Sequence, residues 1–165
     1  DLIARSAREL QATDYPPEVL DVAVGTAFGL DPQLIADRTY FLIERGGRPV
    51  ACGGWSFRAK TYGGAVRDAD GVAPVRPGLD PARIRAFFVA PECARQGLGT
   101  CILNASEQAA LEAGFTDGEM VATPAGERLY ARHGWLAVAR YTETLPGGIA
   151  LPVIRMTKRL RAGQG

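Results

Sequence analysis

A strand-like run, a glycine-bearing turn and a long helical run follow one another without a gap between Arg83 and Ala113, and this succession constrains the fold more than any other stretch. Arg83 to Val89 (RIRAFFV) is short, apolar and aromatic-rich, reads as a buried strand, and ends before Pro91. Ala94-Arg95-Gln96-Gly97-Leu98-Gly99-Thr100 then runs directly into a helix. In that helix Leu98, Ile102, Ala105 and Ala109 share one face, and Gly114-Phe115 supplies the closing glycine with its hydrophobic follower. The first turn of a helix has unpaired N–H groups and the positive end of the helix dipole, so it suits an anion. Gly97 and Gly99 lack Cβ atoms, which opens the backbone to a group as bulky as a pyrophosphate, and Arg95 and Gln96 add donors. The glycines alone are also compatible with a plain helix-starting turn. A P-loop signature is absent, and the third glycine of a dinucleotide-binding fingerprint is replaced by Ile102.

Periodicity organises the rest of the chain. Leu2 to Thr13 predicts an amphipathic helix, broken by Asp14-Tyr15-Pro16-Pro17, because a residue before proline disfavours the helical region. Glu18 to Phe28 predicts a second helix, and Asp31-Pro32 a cap with a first-turn proline for a short third one through Ala36. Thr39 to Arg45, the turn Arg45-Gly46-Gly47-Arg48 and Pro49 to Arg58 predict a hairpin. Lys60 to Pro81 reads as a long loop of the kind that serves as a lid, binding loop or mobile segment. Glu119 to Ala122 predicts a strand, and Thr123-Pro124 opens a helix through His133 that Gly134-Trp135 closes. Leu136 to Leu145 and Leu151 to Lys158, joined by Pro146-Gly147-Gly148, are the last strands. The order predicts one α/β domain over residues 1–160 with helices on both faces of a mixed sheet, and a disordered tail over residues 161–165. Because the chain starts inside a helix at Asp1, a strand preceding it in the full-length protein is expected.

Composition narrows the function classes. A net charge of +1 advertises no polyanion-binding surface, so nucleic acid is not an expected partner. No apolar stretch approaches the roughly 18 residues needed to cross a bilayer. Cys52, Cys93 and Cys101 are odd in number, form no C-x-x-C pair and follow no secretory segment, which points to the reducing cytoplasm. One histidine and no cluster at ligand spacing predict no metal.

The run IRAFFVAPECARQGLGTCIL, followed by helix, strand and ERLYARHGW, resembles the GNAT superfamily of N-acetyltransferases. The family pattern before the helix is Gln/Arg-x-x-Gly-x-Gly/Ala. Gly97 and Gly99 match it, while Ala94 stands at the leading position, so Arg95 is expected to substitute and backbone N–H groups to carry the binding. The resemblance implies a mostly antiparallel twisted sheet of six to seven strands, splayed between two central strands. It implies acetyl-CoA as cosubstrate, with its pyrophosphate on Arg95, Gln96, Gly97, Leu98, Gly99 and Thr100. The pantetheine arm would lie along Phe88 and Val89, held through their backbone.

Acetyl transfer to an amine raises two proton problems. An alkylammonium with pKa near ~10.4 must lose a proton before it attacks, and a thiolate with parent pKa near ~8.5 leaves more readily beside an acid. Tyr130 occupies the position where relatives often place a tyrosine near the thioester sulfur, and Gly126 stands one turn earlier on its face. A tyrosine on a helix is otherwise a packing residue. Glu119 is the nearest carboxylate for a general base, with a water chain as the alternative. The expected acceptor is a small-molecule primary amine, attacked directly in a ternary complex. A protein or peptide acceptor and a non-catalytic acyl-CoA-binding domain are the other readings, and a homodimer stays open. Tyr15, Trp55, Phe57, Tyr62 and Tyr141 are candidates to line the acceptor pocket, beside the first two helices, the long loop and the last hairpin.

Overall fold

Helix α1 (Leu2–Leu10) ends three residues before the sequence reading placed its end, because the carbonyl of Gln11 turns to accept the N–H groups of Asp14 (3.1 Å) and Tyr15 (2.9 Å). The computed structural model describes residues 1–59 and 73–162. Helix α2 (Pro17–Ala23) also stops early, not at Phe28. Gly25 adopts φ +90°, and its N–H reaches the Phe28 carbonyl (2.8 Å) in a tight loop where helix was expected. Helix α3 (Pro32–Ala36) starts as its cap predicts, the Asp31 side chain accepting from the Gln33 N–H at 3.0 Å.

Strands β1 (Tyr40–Arg45) and β2 (Arg48–Ser56) form the expected hairpin, and β2 pairs antiparallel with β3 (Ala82–Val89). Beyond β2, the described part of the predicted long loop folds back on the strand end, Val75 N–H donating to the Phe57 carbonyl at 2.6 Å. Residues 60–72 of that loop, Tyr62 among them, and 163–165 of the predicted tail lie outside the described residues. Helix α4 (Leu98–Glu112), strand β4 (Asp117–Ala122), helix α5 (Pro124–Arg132) and strands β5 (Leu136–Leu145) and β6 (Ile149–Arg159) complete the chain. The α4 stripe is rotated from the reading: Ile102, Leu103, Ser106 and Ala110 are buried, not Leu98 and Ala105. Ser106 joins the apolar face because its hydroxyl donates to the Ile102 carbonyl at 2.9 Å.

The six strands form one sheet in the order β1-β2-β3-β4-β6-β5, antiparallel except for the central pair β3 and β4. Alternation sends Met120, Ala122, Ile154 and Met156 to a core under α4 and α5, with Trp55, Leu103, Phe115 and Trp135. It sends Val121, Leu151 and Val153 to a second core under α1 and α2, with Ala7, Leu20, Phe28 and Phe88. Helices therefore cover both faces, as the sequence order predicts.

Candidate active site

Strand β3 carries one residue too many for its partner. Cys52 pairs with Phe88 and Gly54 with Arg85, so three steps on β3 face two on β2, and Ala86 takes φ +64° to absorb the extra one. The bulge inverts the side-chain parity. Ile84 belongs to the α4–α5 core, yet so does Phe87, three positions on, while Ala86 and Phe88 face α1 and α2. Gly53 must stay small there, since a Cβ on it would meet the Phe87 ring at 2.7 Å. On the other side, β3 pairs with β4 only at Ala82–Gly118 and Arg83–Glu119. Past those two rungs the strands part, and a cleft of about 660 Å³ opens between them through the sheet. This is the splay that the resemblance implied.

At one end the cleft is lined by Arg95, Gly97, Leu98, Gly99 and Thr100, with Arg128 and Arg132 from α5. The first helical bond of α4 joins the Cys101 N–H to the Gly97 carbonyl (3.0 Å), so the N–H groups of Leu98, Gly99 and Thr100 precede the ladder. Gly97 caps the helix with φ +82°, and a Cβ on it would stand in open space. That matches a backbone left clear for a ligand. Gly99 is small for another reason: a Cβ there would meet Leu129 of α5 at 2.9 Å, so it lets the two helices close. Arg95, at φ +61°, lies among the lining residues, as does Ala94. Gln96 does not: its amide accepts from Arg45 (2.7 Å) and donates to the Glu92 carbonyl (3.1 Å). The Thr100 hydroxyl pairs with His133 Nε2 at 3.1 Å.

Tyr130 lines the cleft too, buried, its ring edge-on to Phe87 with centroids 6.0 Å apart. Burial pushes its phenol well above the ordinary tyrosine range, so the ring keeps its proton. Gly126 belongs to the same wall, where a Cβ would stand 2.9 Å from the Tyr130 ring. Phe88 and Val89 line the cleft as well. The Phe88 side chain packs on Phe28 at 6.2 Å, and the Val89 N–H donates to Ser6 Oγ at 3.1 Å.

Glu119 is not brought to the cleft. Its carboxylate takes an ion pair from Arg83 and a longer one from Arg155 at 3.9 Å, at the closed end of the β3–β4 pair. Nor do the described candidate aromatics, Tyr15, Trp55, Phe57 and Tyr141, line it. Tyr15 is buried with its hydroxyl donating to the Pro152 carbonyl (2.5 Å), Trp55 packs between Phe57 and Phe115, and Tyr141 stands exposed on the edge strand β5. The α1 and α2 side of the cleft is built instead by Ser6, Leu10 and Gln11 of α1 with its cap, Ala27 and Phe28 after α2, and Leu151 and Val153 of β6. Beneath it lies a pair the sequence reading missed, Arg85 Nε to Asp31 Oδ2 at 2.9 Å, with side chains 2% and 1% exposed. Among the described residues no group of His, Cys, Asp and Glu has metal-site geometry, and no helix is long and apolar enough to cross a membrane.

Fold and cleft define the class: an α/β protein whose splayed sheet sets a helix N-terminus and a buried tyrosine in one channel. Residues 36–135 match the acetyltransferase (GNAT) domain family, and the chain belongs to that family. Solved structures share the fold at low identity. A GCN5-related N-acetyltransferase from Rhodopseudomonas palustris is 22% identical, with TM-score 0.67 over 96% of this chain and 86% of that one. The PaiA N-acetyltransferase of Thermoplasma acidophilum, solved with coenzyme A, is 10% identical, with TM-score 0.58 over 96% and 88%. YncA of Salmonella typhimurium, solved with acetyl-CoA, is 17% identical, with TM-score 0.54 over 76% and 66%. No curated protein sequence matches the chain significantly.

Proposed function

We propose that this protein transfers the acetyl group of acetyl-CoA to the primary amine of a small molecule, by direct attack in a ternary complex. One observation carries the reading: the α4 N-terminus and Tyr130 line the same cleft, opened where β3 leaves β4. Two fold relatives solved with coenzyme A or acetyl-CoA support the choice of cosubstrate.

The residues present fit that group. The clear space at Gly97, the first-turn N–H groups of α4 and the guanidinium groups of Arg95 and Arg132 suit a pyrophosphate, while Arg128 reaches Asp14 at 3.4 Å. When bound, acetyl-CoA supplies an acyl thioester. Tyr130 then serves as general acid, giving its phenolic proton to the departing sulfur. Its burial keeps the phenol protonated across the working pH range, while making it a weaker donor than an exposed tyrosine. With Glu119 held by two arginines, the base role passes to water: the amine loses its proton before attack. The test is release of free CoA thiol from acetyl-CoA against a panel of amines, with mass analysis of the product. Amine-dependent release is expected. Tight acetyl-CoA binding with no transfer to any amine, peptide or protein would mark a binding domain instead.

A further inference from the structure

The turn that leads into α4 holds an arginine in a conformation that its Cβ disfavours. Arg95 takes φ +61° and Gly97 φ +82°, so two left-handed residues flank Gln96. Such a backbone persists where its surroundings over-determine it.

Gln96 supplies that support. Its carboxamide donates to the Glu92 carbonyl at 3.1 Å and accepts from Arg45 at 2.7 Å. The first bond closes the turn on itself, and the second ties it to the end of β1, 51 residues away. The same Arg45 nitrogen stands 3.8 Å from Sγ of Cys93, a buried residue of the segment that joins β3 to α4. Arg95, Gly97, Leu98, Gly99 and Thr100 line the cleft, whereas Gln96 and Arg45 do not. Arg45 thus grips the turn from outside the cleft.

Shape matters here because several weak donors act together. First-turn N–H groups hold a diphosphate well when they already converge on one place, and ordering them during binding costs affinity. Ala94, at the leading position of the motif, has no donor to add.

We propose that Arg45 is a positioning residue for the pyrophosphate of the cosubstrate. Through Gln96 it holds the turn in the shape that presents Arg95 and the α4 N–H groups, without touching the ligand itself. The inference rests on acetyl-CoA as cosubstrate and adds the residue that prepares its binding site. Its effect falls on binding and not on the chemistry at Tyr130.

Arg45→Met, Gln96→Leu and the double variant test it. Titration calorimetry uses acetyl-CoA and 3′-phospho-ADP, which carries the diphosphate without the pantetheine arm. Each single variant is expected to weaken both ligands about five- to tenfold. Its melting temperature should stay within about 2 °C of wild type, since the Arg45–Gln96 bond is exposed. The double variant should lose no more affinity than either single one, because both break the same link. In turnover with an acceptor amine, KM for acetyl-CoA should rise by the same factor while kcat stays within about twofold. Losses that multiply in the double variant would show Arg45 acting on the anion by its own charge, and overturn the inference. Folded single variants of unchanged affinity overturn it too, as does a loss for acetyl-CoA that 3′-phospho-ADP does not share. Each of these results leaves acetyl transfer standing. Failure of the wild type to bind acetyl-CoA overturns the underlying reading, and this one with it.

Discussion

Thr100 Oγ1 and His133 Nε2 stand 3.1 Å apart, joining the first turn of α4 to the cap of α5. Both helices line the cleft, and this bond ties the first turn of α4 to the end of α5 that carries Arg132. His133→Ala should weaken acetyl-CoA binding by about three- to tenfold and lower stability by about 1 kcal/mol. Titration calorimetry and thermal melts measure both. A well-folded variant with full affinity would mean that the bond positions nothing.

Tyr130→Phe separates packing from chemistry. The ring keeps its edge contact with Phe87, so acetyl-CoA affinity should hold while kcat falls by about 10²-fold, the lower range for loss of a general acid. Since burial raises the phenol above its usual range, wild-type kcat should show no alkaline decline below about pH 10 from this group. A decline centred between pH 8 and 9 that disappears in Tyr130→Phe would contradict the environment described for it.

Much of this was legible in the sequence, for identifiable reasons. The turn from Ala94 to Thr100 and the capped helix at Thr123-Pro124 rest on local chemistry, and Thr123 Oγ1 does accept the Gly126 N–H, at 3.3 Å. The bulge at Ala86 could not be read, because alanine gives no signal for a left-handed backbone; only the parity of Ile84 and Phe87, seen against their cores, exposes it. The Asp31–Arg85 pair joins residues far apart in sequence, and each alone reads as a surface charge or a cap.

Glu119 tests the boundary between candidate and site. With both carboxylate oxygens facing arginines and neither in the cleft, Glu119→Gln should leave kcat and its pH profile within about twofold of wild type. The largely buried Arg83 would lose its counter-charge, so stability should drop by about 1–3 kcal/mol. Denaturant melts and steady-state rates on the same preparation separate the two effects. A fall in kcat beyond tenfold with unchanged stability would restore Glu119 as the base.

Three tyrosines give the protein an alkaline limit whose sign follows from burial. Desolvation raises the phenols of Tyr15, Tyr40 and Tyr130, with Asp14 adding to the first and Cys52 to the second. Each folded-state pKa therefore lies above the unfolded value of ~10, and the unfolded chain releases those protons first as pH rises. The stabilisation is fully present below about pH 10 and is lost as pH climbs through the folded values. The melting temperature should accordingly hold between pH 8 and 9.5 and fall by about 5 °C or more by pH 11. Tyr130→Phe, which removes one such group, should lose less over the same interval. Near-ultraviolet tyrosinate absorbance provides an independent reading, with part of the signal rising only on unfolding. If the native protein released all its phenolic protons near pH 10 while still folded, the buried setting assigned to Tyr130 would be wrong, and with it the reason that phenol stays protonated.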